Sequence, residues 1–187
     1  LPELYRDHGT EHNRVHKIIS SYKHNTDSST GVIITGDKGT GKSVQASMIA
    51  NEAINDLAIP VIVFKGESRL SKQFIDIIES VGPCCIIFDQ IGPNTDPVVI
   101  DNLIRTLSRL RGQRNIVIVN SQSDQLLPAQ VFDDVELFKY HFRCIHLTTH
   151  EISDYCDFMN IDNKNMGSMI FKELNTLYIV PTFSVVK

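Results

Sequence analysis

A glycine-rich segment at residues 36–43 carries the clearest chemical signature in the chain. It reads Gly-Asp-Lys-Gly-Thr-Gly-Lys-Ser, which fits the pattern G-x-x-x-x-G-K-[ST]. Glycines in such a loop allow positive φ and let successive backbone N–H groups surround a phosphate. We therefore expect Lys42 to neutralise nucleotide phosphates and the Ser43 hydroxyl to bind Mg²⁺.

A helix is expected to begin at this loop and to point its positive N-terminus at the bound anion. An apolar, β-branched run at residues 32–35 precedes the loop, so the pattern occurs between a strand and a helix, as phosphate loops require. The residues predicted to bind the nucleotide are Gly36, Asp37, Lys38, Gly39, Thr40, Gly41, Lys42, Ser43 and Val44.

An acidic residue at the end of a second strand should hold the metal through water. The apolar run at residues 84–88 ends in Asp89, which we predict to fill this Walker B role. The next residue is Gln90, where enzymes of this architecture usually place a Glu that polarises the attacking water. Because an amide has no basic lone pair near neutral pH, Gln90 could orient water but not accept its proton.

Two explanations of Gln90 stay open. In the first, the natural protein has Gln at this position and either hydrolyses slowly or uses the nucleotide as a switch. In the second, Gln90 is an engineered Glu→Gln change, which removes the base and leaves phosphate and Mg²⁺ binding intact. The residue encoded in the unmodified gene would decide between them.

The elements that must position these residues follow from alternating patterns. Runs at residues 32–35, 61–64, 84–88, 116–119 and 142–147 are typical of buried strands. Apolar residues at helical spacing lie between them, after Lys42 and between Asp96 and Gly112. Buried strands that alternate with helices indicate an α/β fold with a five-stranded parallel sheet.

Composition limits the remaining classes. The chain has 187 residues, 42% of them hydrophobic and 21% charged, which suits one sizeable core. Its net charge of −4 argues against a surface that is basic throughout, although a local basic patch is compatible with it. Apolar runs are far shorter than the roughly 20 residues that cross a bilayer, so no membrane association is expected. Because the first residue is Leu1, we expect a piece of something longer.

The cysteine pattern favours an intracellular protein, in the cytoplasm or nucleus. None of the four cysteines forms a Cys-x-x-Cys pair, so neither a disulfide framework nor a zinc site is indicated. Reduced, buried thiols are the simplest interpretation.

Asn120 completes a set that resembles the AAA+ ATPase core. It follows the predicted strand at 116–119. If that strand lies between the strand before the phosphate loop and the strand that ends in Asp89, Asn120 is at its tip and would face the γ-phosphate. The loop, the segment 82–89 and Asn120 as sensor 1 look like the AAA+ motifs over about residues 31–147. The resemblance implies sheet order 5-1-4-3-2, with Mg²⁺ and ATP at the carboxyl ends of the strands.

The same resemblance divides the chain and shows departures from the family. It implies an N-terminal helix and linker at 1–30, the nucleotide-binding core at 31–147, and a reduced helical lid or tail at 148–187. The short segment between Gly66 and Asp89 leaves little room for an aromatic pore loop. No arginine follows Arg143 in the sequence, so the usual sensor 2 arginine of the family is absent. Arg143 is expected to open the fifth strand, near where the family places an arginine finger.

Four further arginines cluster around the end of the helix before the fourth strand. They are Arg105, Arg109, Arg111 and Arg114. A solvated helix end explains them, since cations suit the C-terminal dipole. A trans-acting arginine for a neighbouring subunit, or a contact with nucleic-acid phosphates, are the alternatives.

The function implied is an ATPase that couples ATP binding or hydrolysis to assembly or remodelling. Its partners would be copies of itself or other subunits, with nucleotide at the interfaces, and nucleic acid or a nucleoprotein complex in an initiator, loader or helicase-like role. A nucleotide-dependent scaffold or switch with little turnover is the main alternative. A small-molecule kinase is disfavoured because no Arg-rich lid follows the core.

Overall fold

The computed structural model describes residues 10–65, 72–92 and 95–145. It also describes their side chains, except those of residues 10–12, 65, 72–75 and 90. Strands and helices alternate along the described chain. The elements are α1 Thr10–His24, β1 Thr30–Thr35, α2 Lys42–Leu57, β2 Val61–Lys65, α3 Lys72–Val81, β3 Cys85–Ile91, α4 Pro97–Leu110, β4 Ile116–Ser121, a 3-10 turn Asp124–Leu126, α5 Ala129–Asp133 and β5 Phe138–Arg143.

The five strands form one parallel sheet in the order β2-β3-β4-β1-β5. This is the predicted order, and it places β4 between β1 and β3. Every residue of β1 and β4 is buried, which explains why these strands consist almost entirely of β-branched residues. Because the strands are parallel, the segments that follow β1, β3, β4 and β5 all leave the sheet at its carboxyl edge.

Each face of the sheet is covered by helices. On one face, Val32 and Ile34 of β1 pack with the apolar stripes of α1 and α2. On the other, Ile33 packs with α3, α4 and α5. The alternation along β1 thus divides the core into two layers, as expected for a strand with helices on both sides.

The start of α4 shows how sequence sets a helix boundary near the site. The Asp96 side chain accepts a hydrogen bond of 2.9 Å from the backbone N–H of Val98, and Pro97 occupies the first helical position. An Asp cap followed by Pro is a strong helix start. The chain therefore turns back sharply after β3.

The predicted position of the fifth strand is wrong. It was expected at residues 142–147, opened by Arg143, whereas β5 runs from Phe138 and ends at Arg143. As an edge strand, β5 alternates between more buried and exposed residues and lacks the continuous apolar run by which the other strands were recognised. Arg143 therefore lies at the carboxyl edge of the sheet.

Two groups of predictions fall outside the described residues. The lid or tail at 148–187 is one, and residues 66–71, which bear on the pore loop, are the other. Among the described helices, none is long and apolar enough to span a membrane.

Candidate functional site

The loop between β1 and α2 has the backbone that its glycines predict. Gly36, Gly39 and Gly41 have φ values of 146°, 87° and 100°, a region that other residues rarely adopt. A Cβ on Gly36 would also collide with the carbonyl oxygen of Cys144, which follows β5. The conformation and the close approach of a neighbouring segment therefore both require glycine.

Lys42 folds back over this loop. Its Nζ donates to the carbonyl oxygens of Gly36, at 2.6 Å, and of Asp37, at 2.7 Å. Burial lowers the pKa of the Lys42 ammonium, while electrostatic interactions with Cys144, Asp37 and Asp89 act in the opposite direction. The loop thus encloses a cationic nitrogen at its centre.

The rest of the loop is held by short-range contacts. The Thr40 hydroxyl donates to the Asp37 carbonyl at 2.8 Å, and Val44 packs against the core of the α1 and α2 face. Gln45 N donates to Gly41 O at 3.0 Å. Because that bond begins the helix, the N–H groups of the three residues before Gln45 face the loop.

Asp89 lies beside Ser43, the other residue that we predict to bind a metal ion. The Ser43 hydroxyl is 3.4 Å from Asp89 Oδ1. Asp89 stands near the carboxyl end of β3 and Ser43 in the first turn of α2, so residues 46 positions apart converge. A hydroxyl and a carboxylate are the oxygen ligands that Mg²⁺ prefers.

Asn120 contacts the Asp89 carboxylate. Its Nδ2 donates to Asp89 Oδ1 at 3.0 Å, and the side chain is fully buried. Its Oδ1 is buried with no hydrogen-bond partner among the described residues. In this structure Asn120 therefore positions Asp89, and its predicted contact with a γ-phosphate stays a prediction.

An irregularity in β3 surrounds Asp89 and Gln90. Phe88 pairs with Val119 and Ile91 with Ser121, so two residues of β3 stand opposite Asn120 alone. Such a bulge re-aims side chains and is common next to active sites. Gln90 therefore lies in the bulge beside Asp89, and its predicted role in orienting water stays a prediction.

Arg143 ends β5 next to the loop. It pairs with Thr35, the last residue of β1, and Cys144 N donates to Thr35 O at 2.7 Å. The Arg143 side chain is exposed. Its predicted catalytic role stays a prediction.

Arg109 and Arg111 lie away from the loop. Ser29, which immediately precedes β1, donates from its backbone to Arg111 O at 2.7 Å, so the end of α4 lies at the amino edge of the sheet. Arg111 Nη2 is 2.7 Å from Asp134 Oδ2, and Arg109 Nη2 is 2.7 Å from Glu79 Oε1. Contacts within the chain thus account for both guanidinium groups.

Sequence reasoning missed two groups near the site. The Cys144 thiol donates to Gln45 Oε1 at 3.4 Å, behind Lys42. His141 Nε2 lies 3.1 Å from Thr35 Oγ1 and 3.3 Å from Asp124 Oδ1. Alternation of aromatic and basic residues in 138–143 was the available signal, since it marks an edge strand beside β1.

Known proteins resemble this chain in sequence and in fold. The uncharacterized AAA domain-containing protein ycf46 of Trieres chinensis is 26% identical, over 75% of this chain and 35% of that protein. The Aeropyrum pernix ORC1 protein, solved in complex with DNA, has a TM-score of 0.62 at 14% identity, over 85% of this chain and 50% of that one. A variant of Thermotoga maritima RuvB has a TM-score of 0.59 at 15% identity, over 82% and 52%. No protein-family model matches the chain.

These comparisons confirm the resemblance to the AAA+ ATPase core. The curated relative is named as an AAA domain-containing protein, and the two solved structures share the fold of this chain. The two solved structures show the fold, and the chain spans about a third of the curated relative and half of each structural neighbour.

Proposed function

We propose that this chain binds Mg²⁺-ATP and hydrolyses it slowly, as the ATPase core of a nucleotide-dependent assembly. The observation that carries the proposal is the convergence of Lys42, Ser43 and Asp89 at one edge of the sheet, beside a loop of positive-φ glycines. Lys42 and Ser43 lie in the first turn of α2, and Asp89 lies near the end of β3. Together they provide a phosphate cradle and an adjacent oxygen-rich corner.

The loop fits the phosphates of a nucleotide. The N–H groups at the start of α2 face it, and a helix N-terminus favours anions. The two described hydrogen bonds of Lys42 are to carbonyl oxygens of the loop itself. A phosphate oxygen would offer the ammonium a charged acceptor in place of neutral ones, which makes a stronger hydrogen bond.

The corner between Ser43 and Asp89 fits Mg²⁺. A hard cation takes oxygen ligands, and the Ser43 hydroxyl and the Asp89 carboxylate supply two. Asn120 contributes to this corner through the hydrogen bond that its Nδ2 donates to Asp89 Oδ1 at 3.0 Å. When bound, Mg²⁺ would neutralise charge on the β- and γ-phosphates.

The chain's own residues determine how fast ATP is cleaved. Lys42 would stabilise charge that develops on the phosphate oxygens, and Asn120 holds the Asp89 carboxylate in place. Gln90 would orient the attacking water without taking its proton. We therefore infer slow turnover and long-lived ATP binding.

The cellular role would be assembly or remodelling of a nucleic acid or nucleoprotein complex, with ATP bound between subunits. Support comes from the fold shared with ORC1, solved in complex with DNA, and from the exposed Arg143 at the nucleotide edge. The slow chemistry expected of Gln90 equally favours a second candidate, a nucleotide-dependent scaffold.

Phosphate release tests the proposal and separates the two candidates. We expect Mg²⁺-dependent release of phosphate from ATP by the wild-type chain, and none by Asp89→Ala or Lys42→Ala. Lys23→Ala is the matched control, because Lys23 is exposed and paired with Asp56 in the last turn of α2, at the opposite end of that helix from the loop. Nucleotide binding without turnover at high protein concentration would favour the scaffold, and absence of binding would contradict both.

A further inference from the structure

An open cleft of about 500 Å³ lies between the exposed side of α1 and the edge strand β5. The residues of α1 that line it include His16, Lys17 and His24, and β5 contributes Lys139 and Tyr140. No carboxylate lines it among the described residues. In a chain with a net charge of −4, this is a local concentration of positive charge.

The walls of the cleft are joined by contacts that do not use its lysines' ammonium groups. The Tyr140 hydroxyl donates to the backbone oxygen of Lys17 at 3.3 Å, and the Arg14 guanidinium lies over the Phe142 ring at 5.4 Å from its centroid. The cleft is therefore formed by the fold itself. Neither Lys17 nor Lys139 has an ion pair within the part of the chain that the structure describes.

Stabilisation of the helix explains only part of this charge. Lys23 and His24 lie in the last turn of α1, where cations offset the helix dipole, and His24 Nδ1 is 2.7 Å from the Ser20 carbonyl oxygen. That account does not extend to Lys17, which lies nearly two turns earlier, or to Lys139 on a strand. Both side chains are exposed, so their ammonium groups are accessible to a ligand in the cleft.

Asn25 also lines the cleft, and a hydrogen bond from a neighbouring residue holds its amide. The Ser28 hydroxyl donates to Asn25 Oδ1 at 2.9 Å. This contact uses the amide oxygen of Asn25 and not the amide nitrogen, which is the donor. That donor, Nδ2, is buried and has no hydrogen-bond partner among the described residues. Because Nδ2 is buried, a ligand in the open cleft does not reach it, and the polar groups that a ligand can reach include the exposed lysines and histidines of the lining.

We propose that the cleft between α1 and β5 binds a phosphate group through Lys17 and Lys139. The phosphate would belong to a nucleic-acid backbone or to a small phosphorylated molecule, and the polar lining excludes an apolar ligand. This site is distinct from the nucleotide loop. Lys139 follows Phe138, which pairs with Gly31 near the start of β1, whereas the loop begins after Thr35 at the other end of that strand.

The nucleic-acid source rests on the proposed function, and the small-molecule source does not. A labelled DNA duplex of random sequence probes the first by fluorescence anisotropy at several salt concentrations. Inorganic phosphate probes the second, through the imidazole proton resonances of His16 and His24. Both probes are added to the whole chain, alongside a separate measurement of Mg²⁺-ATP binding.

We expect a Lys17→Ala/Lys139→Ala variant to bind the duplex about three- to thirtyfold more weakly, as expected when two exposed ion pairs are lost. The slope of log affinity against log salt should fall by about one for each lysine. Both lysines are exposed, and the Lys17 carbonyl that Tyr140 uses is retained, so the variant should fold. Lys23→Ala, on the same helix but paired with Asp56, should bind as the wild type does.

The outcomes distinguish the two sources and the two proposals. Duplex binding that depends on Lys17 and Lys139 supports the nucleic-acid source, and histidine shifts with inorganic phosphate alone support the small-molecule source. Binding of neither probe, or equal binding by the double variant, overturns the cleft assignment. If the chain binds Mg²⁺-ATP but neither DNA nor inorganic phosphate, only the assignment of the cleft is contradicted. If it binds one of these probes through the cleft but does not bind Mg²⁺-ATP, only the proposed function is contradicted.

Discussion

Replacing Asn120 by Ala tests whether this amide positions the carboxylate that we assign to Mg²⁺. In the structure Asn120 Nδ2 lies 3.0 Å from Asp89 Oδ1, and the Ser43 hydroxyl lies at 3.4 Å from the same oxygen. The Asn120→Ala change removes the shorter bond. Asp89 would then be held by the longer contact and by its backbone.

The size of the effect follows from the charge on the acceptor. A hydrogen bond to a charged group contributes about 1.5–3 kcal/mol. Since about 1.4 kcal/mol corresponds to a factor of ten, the change should weaken Mg²⁺-dependent nucleotide binding by about 10- to 100-fold, the range seen for residues that orient metal ligands. The unpartnered Oδ1 is removed as well, which offsets part of the loss of stability.

Calorimetry with ATP and ADP, each with Mg²⁺ and with a chelator, measures this directly. We expect weaker binding of both Mg²⁺ complexes and little change without metal, because Asn120 acts through Asp89. Ser121→Ala is the control: this neighbour is also buried, but its hydroxyl contacts the Ile91 and Ser123 carbonyl oxygens. A loss confined to ATP would refute this reasoning and identify Asn120 as a γ-phosphate contact.

Three further predictions follow from other features. Gln90→Glu should raise steady-state phosphate release at least about tenfold with little change in ATP affinity, since a base acts mainly in the transition state. An unchanged rate of phosphate release would show that residue 90 is not catalytic. Arg143→Ala should abolish an ATP-dependent increase in mass by light scattering, whereas Arg111→Ala should not, because Arg111 is paired with Asp134 within the chain. Burial raises the pKa of Cys84 from 9.0 to about 11 and that of Cys85 from 9.0 to about 12. The two thiols therefore contribute fully to stability below about pH 9, and this contribution is lost as the pH rises toward 11 and 12. Urea unfolding should show that fall, and a Cys84→Ala/Cys85→Ala variant should show less of it.

The loop and Asp89 could be predicted because their signals are local. The glycines require positive φ within eight residues, and a buried run that ends in Asp is contiguous in sequence. The strand order followed from the resemblance to AAA+ proteins and is confirmed by the pairing. These features depend little on how distant segments pack.

Other features depend on packing that the sequence pattern does not show. The bulge at Asp89 and Gln90 sets two residues against Asn120, and no period in the sequence marks it. The position of β5 was predicted wrongly because an edge strand needs apolar residues on one side only, so Phe138 and Tyr140 alternate with exposed residues. The basic cleft joins Lys17 to Lys139, and residues so far apart in sequence meet only through the fold.

The central claim is that the loop at residues 36–43 binds the phosphates of ATP, and calorimetry of the Lys42→Ala variant tests it most directly. Lys42 Nζ contacts only backbone oxygens of the loop in the described hydrogen bonds, so its removal should leave the apolar core and the thermal unfolding transition nearly unchanged. We predict that the wild-type chain binds Mg²⁺-ATP and that the folded variant shows no measurable binding heat. Equal affinity in the two proteins would contradict the assignment of this loop as the nucleotide site.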